Sequence, residues 1–149
     1  MRHLDLPAVQ ERLKDKFDED SVAADTGHLV IKALRLAEIA AFLRDDTEYQ
    51  FDYLNSVTGV DYKTHFSLIY HLTSLTFKHH LEFRVDINDR NQPAVPSVTP
   101  VWRGADLQER EIYDLFGIDF TGHPNLKRIF MWEGFPGYPL RKDWVNRDA

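Results

Sequence analysis

Apolar positions change period several times along the chain. Leu6, Val9, Leu13 and Phe17 fall on one helical face, with Asp5 at the N-cap position and Pro7 tolerated in the first turn. Leu29, Ile31 and Ala33 then alternate as a strand does. Leu36, Ile39, Ala40 and Leu43 return to helical spacing. The chain therefore opens helix, strand, helix.

A longer alternation follows. Phe66, Leu68, Tyr70 and Leu72 interleave with Ser67, Ile69 and His71. After a polar connector near Thr73-Ser74, Leu81, Phe83, Val85 and Ile87 interleave with His80, Glu82, Arg84 and Asp86. Two such runs predict a half-buried antiparallel hairpin. The stretch from Phe51 to Tyr62 leads into it, supplies Phe51, Tyr53 and Leu54 to the core, and turns at Gly59. Pro93, Pro96 and Pro100 place Asn88 to Pro100 at an edge or in an extended segment.

Ala105 to Phe116 predicts a helix with Ala105, Ile112, Leu115 and Phe116 as its apolar stripe. Asp106–Arg110 and Arg110–Asp114 are opposite charges at i, i+4. Gly117 stands where a C-cap glycine belongs, and Ile118 supplies the accompanying apolar contact. Beyond Phe120, glycines and prolines interrupt every period, while Phe130, Trp132, Phe135, Tyr138 and Trp144 stay aromatic. A segment of this kind wraps a partner, although part of it packs back on its own domain. The expected architecture is an α+β domain over 1–120, a mostly antiparallel sheet packed by helices, followed by an extended docking tail over 121–149.

Charge sharpens the division. From Lys127 onward five basic residues face three acidic ones, net +2, which leaves −8 for the rest of a chain of net −6. An acidic body argues against nucleic acid as a partner, and the basic tail against an acidic surface is the natural pairing. There is no cysteine, so disulfides, thiolate nucleophiles and cysteine-held clusters are excluded. No apolar run approaches the roughly 20 residues that span a bilayer, and the N-terminus lacks a signal-peptide stretch. Membrane association is expected only through partners.

Candidate chemistry is sparse. Asp106, Glu109, Glu111 and Asp114 are dense, but Glu109 and Glu111 lie two apart on a helix and point in different directions. A solvated or interface helix is the better reading than acid–base catalysis. His79 and His80 point to opposite faces of a strand, and His65 and His71 lack a third ligand. His123, between Gly122 and Pro124, is a turn histidine suited to bonding a nearby carbonyl or carboxylate. No glycine-rich phosphate loop and no nucleophile elbow is present.

The run Glu109-Arg110-Glu111-Ile112-Tyr113-Asp114-Leu115-Phe116-Gly117-Ile118, with Gly122-His123-Pro124-Asn125-Leu126-Lys127-Arg128-Ile129, closely resembles the signature of one family in respiratory complex I (NADH:quinone oxidoreductase). This is the family of its C subunit, known as the J subunit in plastid and cyanobacterial complexes. Gly137-Tyr138-Pro139-Leu140-Arg141-Lys142-Asp143-Trp144, Val57 to Tyr62 and Val95 to Thr99 resemble further blocks of that family. Leu107 and Tyr138 depart from its usual tryptophan and histidine. The resemblance implies a non-redox scaffold subunit of the peripheral arm of a proton-translocating NADH:quinone oxidoreductase. It would dock on the quinone-site subunit (D) and the terminal iron–sulfur subunit (B), at the cytoplasmic face of a bacterial membrane or the matrix or stromal side in an organelle.

It further implies no flavin, cluster, quinone or NADH in this chain, and no activity of its own. It marks Glu109, Arg110, Glu111, Asp114, Gly117, His123, Pro124, Arg128, Pro139, Arg141, Lys142 and Asp143 as signature and interface residues, none catalytic, cofactor-binding or metal-ligating. On that reading Arg110 bridges Asp106 and Asp114, Glu109 and Glu111 accept from loops or from Arg128 and Arg141, and Arg141 enters a buried charge pair as Pro139 to Asp143 dock on the neighbour. The same domain in a ferredoxin:plastoquinone complex, a coenzyme-dependent archaeal dehydrogenase or a membrane-bound hydrogenase is a close alternative. A free-standing adaptor, hydrolase or metal-binding protein is an alternative of another class.

Overall fold

Three nine-residue strands carry the fold: β4 (Tyr53–Asp61), β5 (Phe66–Ser74) and β6 (His79–Ile87). The computed structural model describes residues 2–23 and 27–145. The expected hairpin is β5–β6, antiparallel, with Leu68 opposite Val85, Tyr70 opposite Phe83 and Leu72 opposite Leu81. All six side chains are buried, and the Tyr70 and Phe83 rings stack with centroids 4.7 Å apart. Such ring pairs add about 0.5–1.5 kcal/mol beyond their buried area.

The segment ahead of the hairpin is itself a strand. Gly59 lies inside β4 opposite Leu68, not in a turn. Its missing side chain serves packing, because a Cβ there would meet the Phe116 ring at 3.0 Å. The turn comes later, where Tyr62 N donates to His65 O at 2.9 Å and Lys63 takes a positive φ of 73°. Nor is the second face of β5 left to solvent. Ser67 and Thr73 are buried there, and Ser67 Oγ and Thr73 Oγ1 donate to Asp86 Oδ1 and Asn55 Oδ1, each at 2.6 Å.

The sheet has six strands. The order β2–β3–β6–β5–β4 uses β2 (Val22–Ala23) and β3 (Val30–Ile31), and β1 (Arg2–His3) also pairs with β6. Both β1 and β3 run parallel to β6, so the sheet is mixed, although its long ladders are antiparallel. Ala33, expected to continue the strand, begins a 3₁₀ turn over Ala33–Arg35. Its neighbour Leu36 opens α2 (Leu36–Asp45), which buries Leu36, Ile39, Ala40 and Leu43. Helix α1 (Leu6–Lys16) buries Val9 and Leu13; Asp5 is its N-cap residue but makes no side-chain cap bond.

The last unit is a strand–helix–strand crossover. β7 (Ala94–Pro96) pairs in parallel with β8 (Asp119–Thr121), and α3 (Ala105–Phe116) connects them. The prolines thus allow only a three-residue strand. Gln108 of α3 lends its Oε1 to Val57 N at 2.7 Å, covering the outer edge of β4. Trp102 Nε1 donates to Phe51 O at 2.8 Å, joining the crossover to the chain two residues before β4. Among the described residues no helix is long and apolar enough to cross a membrane.

Candidate functional site

Helix α3 ends as its sequence requires. Gly117 adopts φ +76°, the left-handed C-cap, and its N–H closes on Tyr113 O at 2.9 Å. The next carbonyls are taken by the tail. Leu115 O accepts from Leu140 N at 3.0 Å, and Phe116 O accepts from Arg141 Nε at 2.6 Å. A guanidinium at this end also complements the negative pole of the helix. Gly117 is needed twice over: a Cβ would lie 2.5 Å from Tyr138 and 2.8 Å from Arg141 Nη2. The tail thus packs against a helix terminus that only glycine leaves open.

Two buried carboxylates hold the rest of the tail. Asp114, fully buried, accepts three successive backbone N–H groups on one oxygen, from Ile129 at 3.1 Å, Phe130 at 2.6 Å and Met131 at 3.1 Å. Its other oxygen faces Arg128 Nε at 3.6 Å. Arg128 also donates to Gly137 O at 2.8 Å and stacks over Tyr138. Asp61, at the end of β4, takes Arg90 on both oxygens at 2.6 and 3.1 Å and also accepts Lys63 N and Lys142 N. The Arg90 guanidinium, with those two backbone N–H groups, holds the Asp61 carboxyl far below the usual carboxylate range despite the opposing effect of burial. Arg90 and Arg141 both lie over the Phe66 ring, which ties this clamp to β5.

A third buried carboxylate serves the crossover. Glu109 accepts from Ser97 Oγ at 2.6 Å and Val98 N at 2.9 Å, joining α3 to the chain after β7. Burial pushes its carboxyl above the ordinary value, against the pull of those two bonds. The phenol of Tyr70, also fully buried, is pushed well up by burial and then by the Glu109 charge. Ser97 shares its hydroxyl with Thr99 Oγ1 at 2.8 Å and is buried, so it is a strut between segments and not an exposed nucleophile.

A model of the family described as respiratory-chain NADH dehydrogenase, 30 Kd subunit, matches residues 29–149. The chain belongs to that family. It is 46% identical to the NADH-quinone oxidoreductase C subunit of Roseiflexus sp. (strain RS-1) and 42% identical to that of Roseiflexus castenholzii, over 94% of this chain and 84% of each relative. The corresponding Acidothermus cellulolyticus protein is 42% identical over 93% of this chain and 74% of its own. In fold the chain is similar to a chain of the membrane-bound sulfane sulfur reductase, an archaeal respiratory membrane complex. The TM-score is 0.74 at 20% identity, covering 95% of this chain and 86% of that one.

Against the family signature, the structure sorts the residues by what they touch. Asp114, Arg128, Gly117 and Arg141 converge at the C-terminal end of α3, and the Lys142 backbone reaches Asp61. Arg110 does not bridge Asp106 and Asp114; its Nε donates to Lys127 O at 3.1 Å. Asp106 instead faces His123, whose Nδ1 accepts Asn125 N at 2.9 Å and whose Nε2 therefore donates to the Asp106 backbone carbonyl at 3.1 Å, with the Asp106 carboxylate 3.0 Å away. Within the chain, Arg141 Nε donates to the Phe116 carbonyl at 2.6 Å. Glu109 accepts from a loop, as expected, but not from Arg128 or Arg141.

Helix α3 is therefore not a solvated acidic face, since two of its carboxylates lie inside the chain. Glu111 is exposed, Pro124 is exposed, Pro139 is half-buried, and the exposed Asp143 comes within 3.8 Å of Arg90. Sequence reasoning passed over Asp61, Arg90 and Ser97. The signal for Glu109 was present in its spacing: it falls between Ala105 and Ile112 on the apolar stripe, where a carboxylate must be bonded to be tolerated. Among the described residues no group of three or more histidines and carboxylates is arranged to hold a metal ion.

Proposed function

We propose that this chain is a non-redox scaffold subunit in the peripheral arm of a proton-translocating NADH:quinone oxidoreductase, docking through its C-terminal segment on the quinone-site and terminal iron–sulfur subunits. The observation that carries the reading is a set of large apolar side chains that the tail leaves in solvent. Phe130 is 60% exposed and Trp132 66%, with Ile129, Leu140 and Val145 also open. Aromatic surface of this kind is what interface cores are made of. The chemistry of the chain points the same way. Its buried carboxylates are spent on backbone N–H groups and arginines, and it has no cysteine with which to hold a cluster. Flavin, clusters, NADH and quinone are then the business of partner subunits. The subunit would lie at the cytoplasmic face of a bacterial membrane, or its organellar equivalent, through those partners alone.

The choice of NADH rests on the names of the relatives, because the same fold occurs in a sulfane sulfur reductase complex. The test is capture of the tagged chain from native membranes in mild detergent. Iron, flavin and NADH:quinone activity in the eluate are expected. Iron–sulfur subunits without NADH oxidation would move the scaffold to another complex of this class. A colourless protein eluting alone would overturn the scaffold role.

A further inference from the structure

We propose that the ridge Ile129–Phe130–Trp132 is preformed in the free chain by a backbone nest closed on the Asp114 carboxylate, and that its partner presents an apolar socket edged with carboxylates. The proposal rests on the docking role given above and specifies how the tail performs it.

Three consecutive N–H groups pointing at one oxygen make an anion-binding concavity. In most such nests the anion arrives from outside; here it is Asp114, supplied from the last turn of α3. The arrangement fixes the backbone of 129–131 against the body while the side chains of Ile129 and Phe130 stay in solvent. Trp132 is braced from behind. Its carbonyl accepts Phe135 N at 3.1 Å, and its ring meets Phe135 edge-on at 4.7 Å. Phe135 in turn stacks on Trp144 and lies under the Arg128 guanidinium. The far end is closed by the Lys142 N–H on Asp61. The segment from Ile129 to Lys142, which carries the ridge, is therefore held at both ends by carboxylates of the body.

This arrangement specifies the partner. Rigid aromatic side chains on a fixed frame act as anchors that fill pockets, and a preformed anchor avoids the ordering cost that a flexible tail would meet on binding. Lys127, just ahead of the ridge, and Lys142, at the tail's second anchor on Asp61, are both exposed, and described residues 127–145 hold four basic side chains against two acidic ones. A socket that is apolar at its floor and acidic at its edge matches both features.

The full-length chain tests this directly. Hydrogen exchange of the Ile129, Phe130 and Met131 amides is expected to be at least tenfold slower than in an unstructured peptide; peptide-like rates would overturn the nest. Asp114→Ala is expected to speed tryptic cleavage after Lys127 and Arg128 at least tenfold while the far-UV signal of the sheet persists, with formate restoring protection; unchanged cleavage would overturn it too. If Asp114→Ala does not fold, the wild-type exchange rates decide alone. The double variant Phe130→Ala/Trp132→Ala is expected to keep slow exchange yet lose capture of iron–sulfur subunits. Normal capture would remove the ridge as the docking surface. Lys127→Glu/Lys142→Glu is expected to weaken capture at low salt, and no change would remove the acidic edge. Should the wild-type chain capture no iron–sulfur subunits, the scaffold reading and the socket fall, while the exchange rates still judge the nest.

Discussion

In strands β5 and β6 every second side chain disappears into the core, whereas from Gly122 to Val145 no residue is buried. The strands are held by area: Phe66, Tyr70, Phe83 and their aliphatic neighbours leave water together. The tail is held by a few directed bonds from Asp114, Asp61, Arg128 and Arg141 to backbone groups. Loss of any apolar contact in the sheet is shared among many neighbours, but loss of one of the carboxylates that hold the tail removes several bonds at once. The two regions should therefore separate under perturbation, the tail opening locally while the sheet persists.

The comparison breaks first in the sheet. Phe83→Ala removes the ring stacked on Tyr70 and leaves a cavity at the centre of the hairpin. We expect a loss of about 3–5 kcal/mol, with far-UV circular dichroism and tryptophan fluorescence melting together. A tail that melted separately from the sheet in this variant would show that the two regions are independent even when the core fails.

Asp61→Asn comes next. It leaves Arg90 without its carboxylate and weakens the bond from Lys142 N. The expected cost is roughly 2–3 kcal/mol, below the usual toll of breaking a buried pair because Arg90 retains some access to water. Urea unfolding gives the magnitude, and tryptic release of residues beyond Arg141 shows where it falls. The pH dependence has a defined sign. The folded-state carboxyl lies below its unfolded value, so its contribution is complete above an unfolded pKa of about 3.9 and is lost as pH falls below that toward the folded value. In the variant that portion of the acid transition should disappear.

Gly117→Ala sharpens the comparison at the junction. A side chain at φ +76° is strained, and its Cβ would displace Tyr138 and Arg141. A loss of about 1–2 kcal/mol is expected. Gly59→Ala, where a Cβ meets the edge of the Phe116 ring at 3.0 Å and Ile112 Cγ2 at 3.4 Å and φ is ordinary, should cost less and leave tail proteolysis unchanged. Equal tail exposure in the two variants would show that Gly117 has no special role in seating the tail.

The residues explain what could be read from sequence. The limits of α3 were legible because Ala105, Ile112, Phe116 and Gly117 carry period and cap in one stretch. The β5–β6 hairpin was legible from its alternation, but β4 was not recognised as a strand because Gly59 looks like punctuation until Phe116 is placed against it. The pairing of β3 with β6 had no local signal, since a two-residue strand has no period. The site was half legible. The signature named Asp114, Arg128 and Arg141, but charge spacing along one helix assigned Arg110 the wrong partners. The true partners, the N–H groups of 129–131 and the carbonyls of Lys127 and Phe116, belong to the backbone, and a sequence does not display which backbone groups need a partner.

Glu109 gives the smallest and most discriminating effect, because it is a buried carboxylate like Asp114 and Asp61 but holds the chain after β7 instead of the tail. Its bonds to Ser97 Oγ and Val98 N favour the charged form, but burial outweighs them and the carboxyl titrates above its ordinary value. The folded chain therefore holds this proton more tightly than the unfolded chain does. As pH rises from the unfolded value of about 4.3 through the higher folded value, this group costs stability, the opposite sense to Asp61. Glu109→Gln cannot ionise and keeps one acceptor for the loop, so its stability at neutral pH should differ from wild type by no more than about 1 kcal/mol. The thermal midpoint of the variant minus that of the wild type should rise between about pH 4 and pH 7. A difference that stays flat across that range would mean that the two loop bonds offset the burial completely.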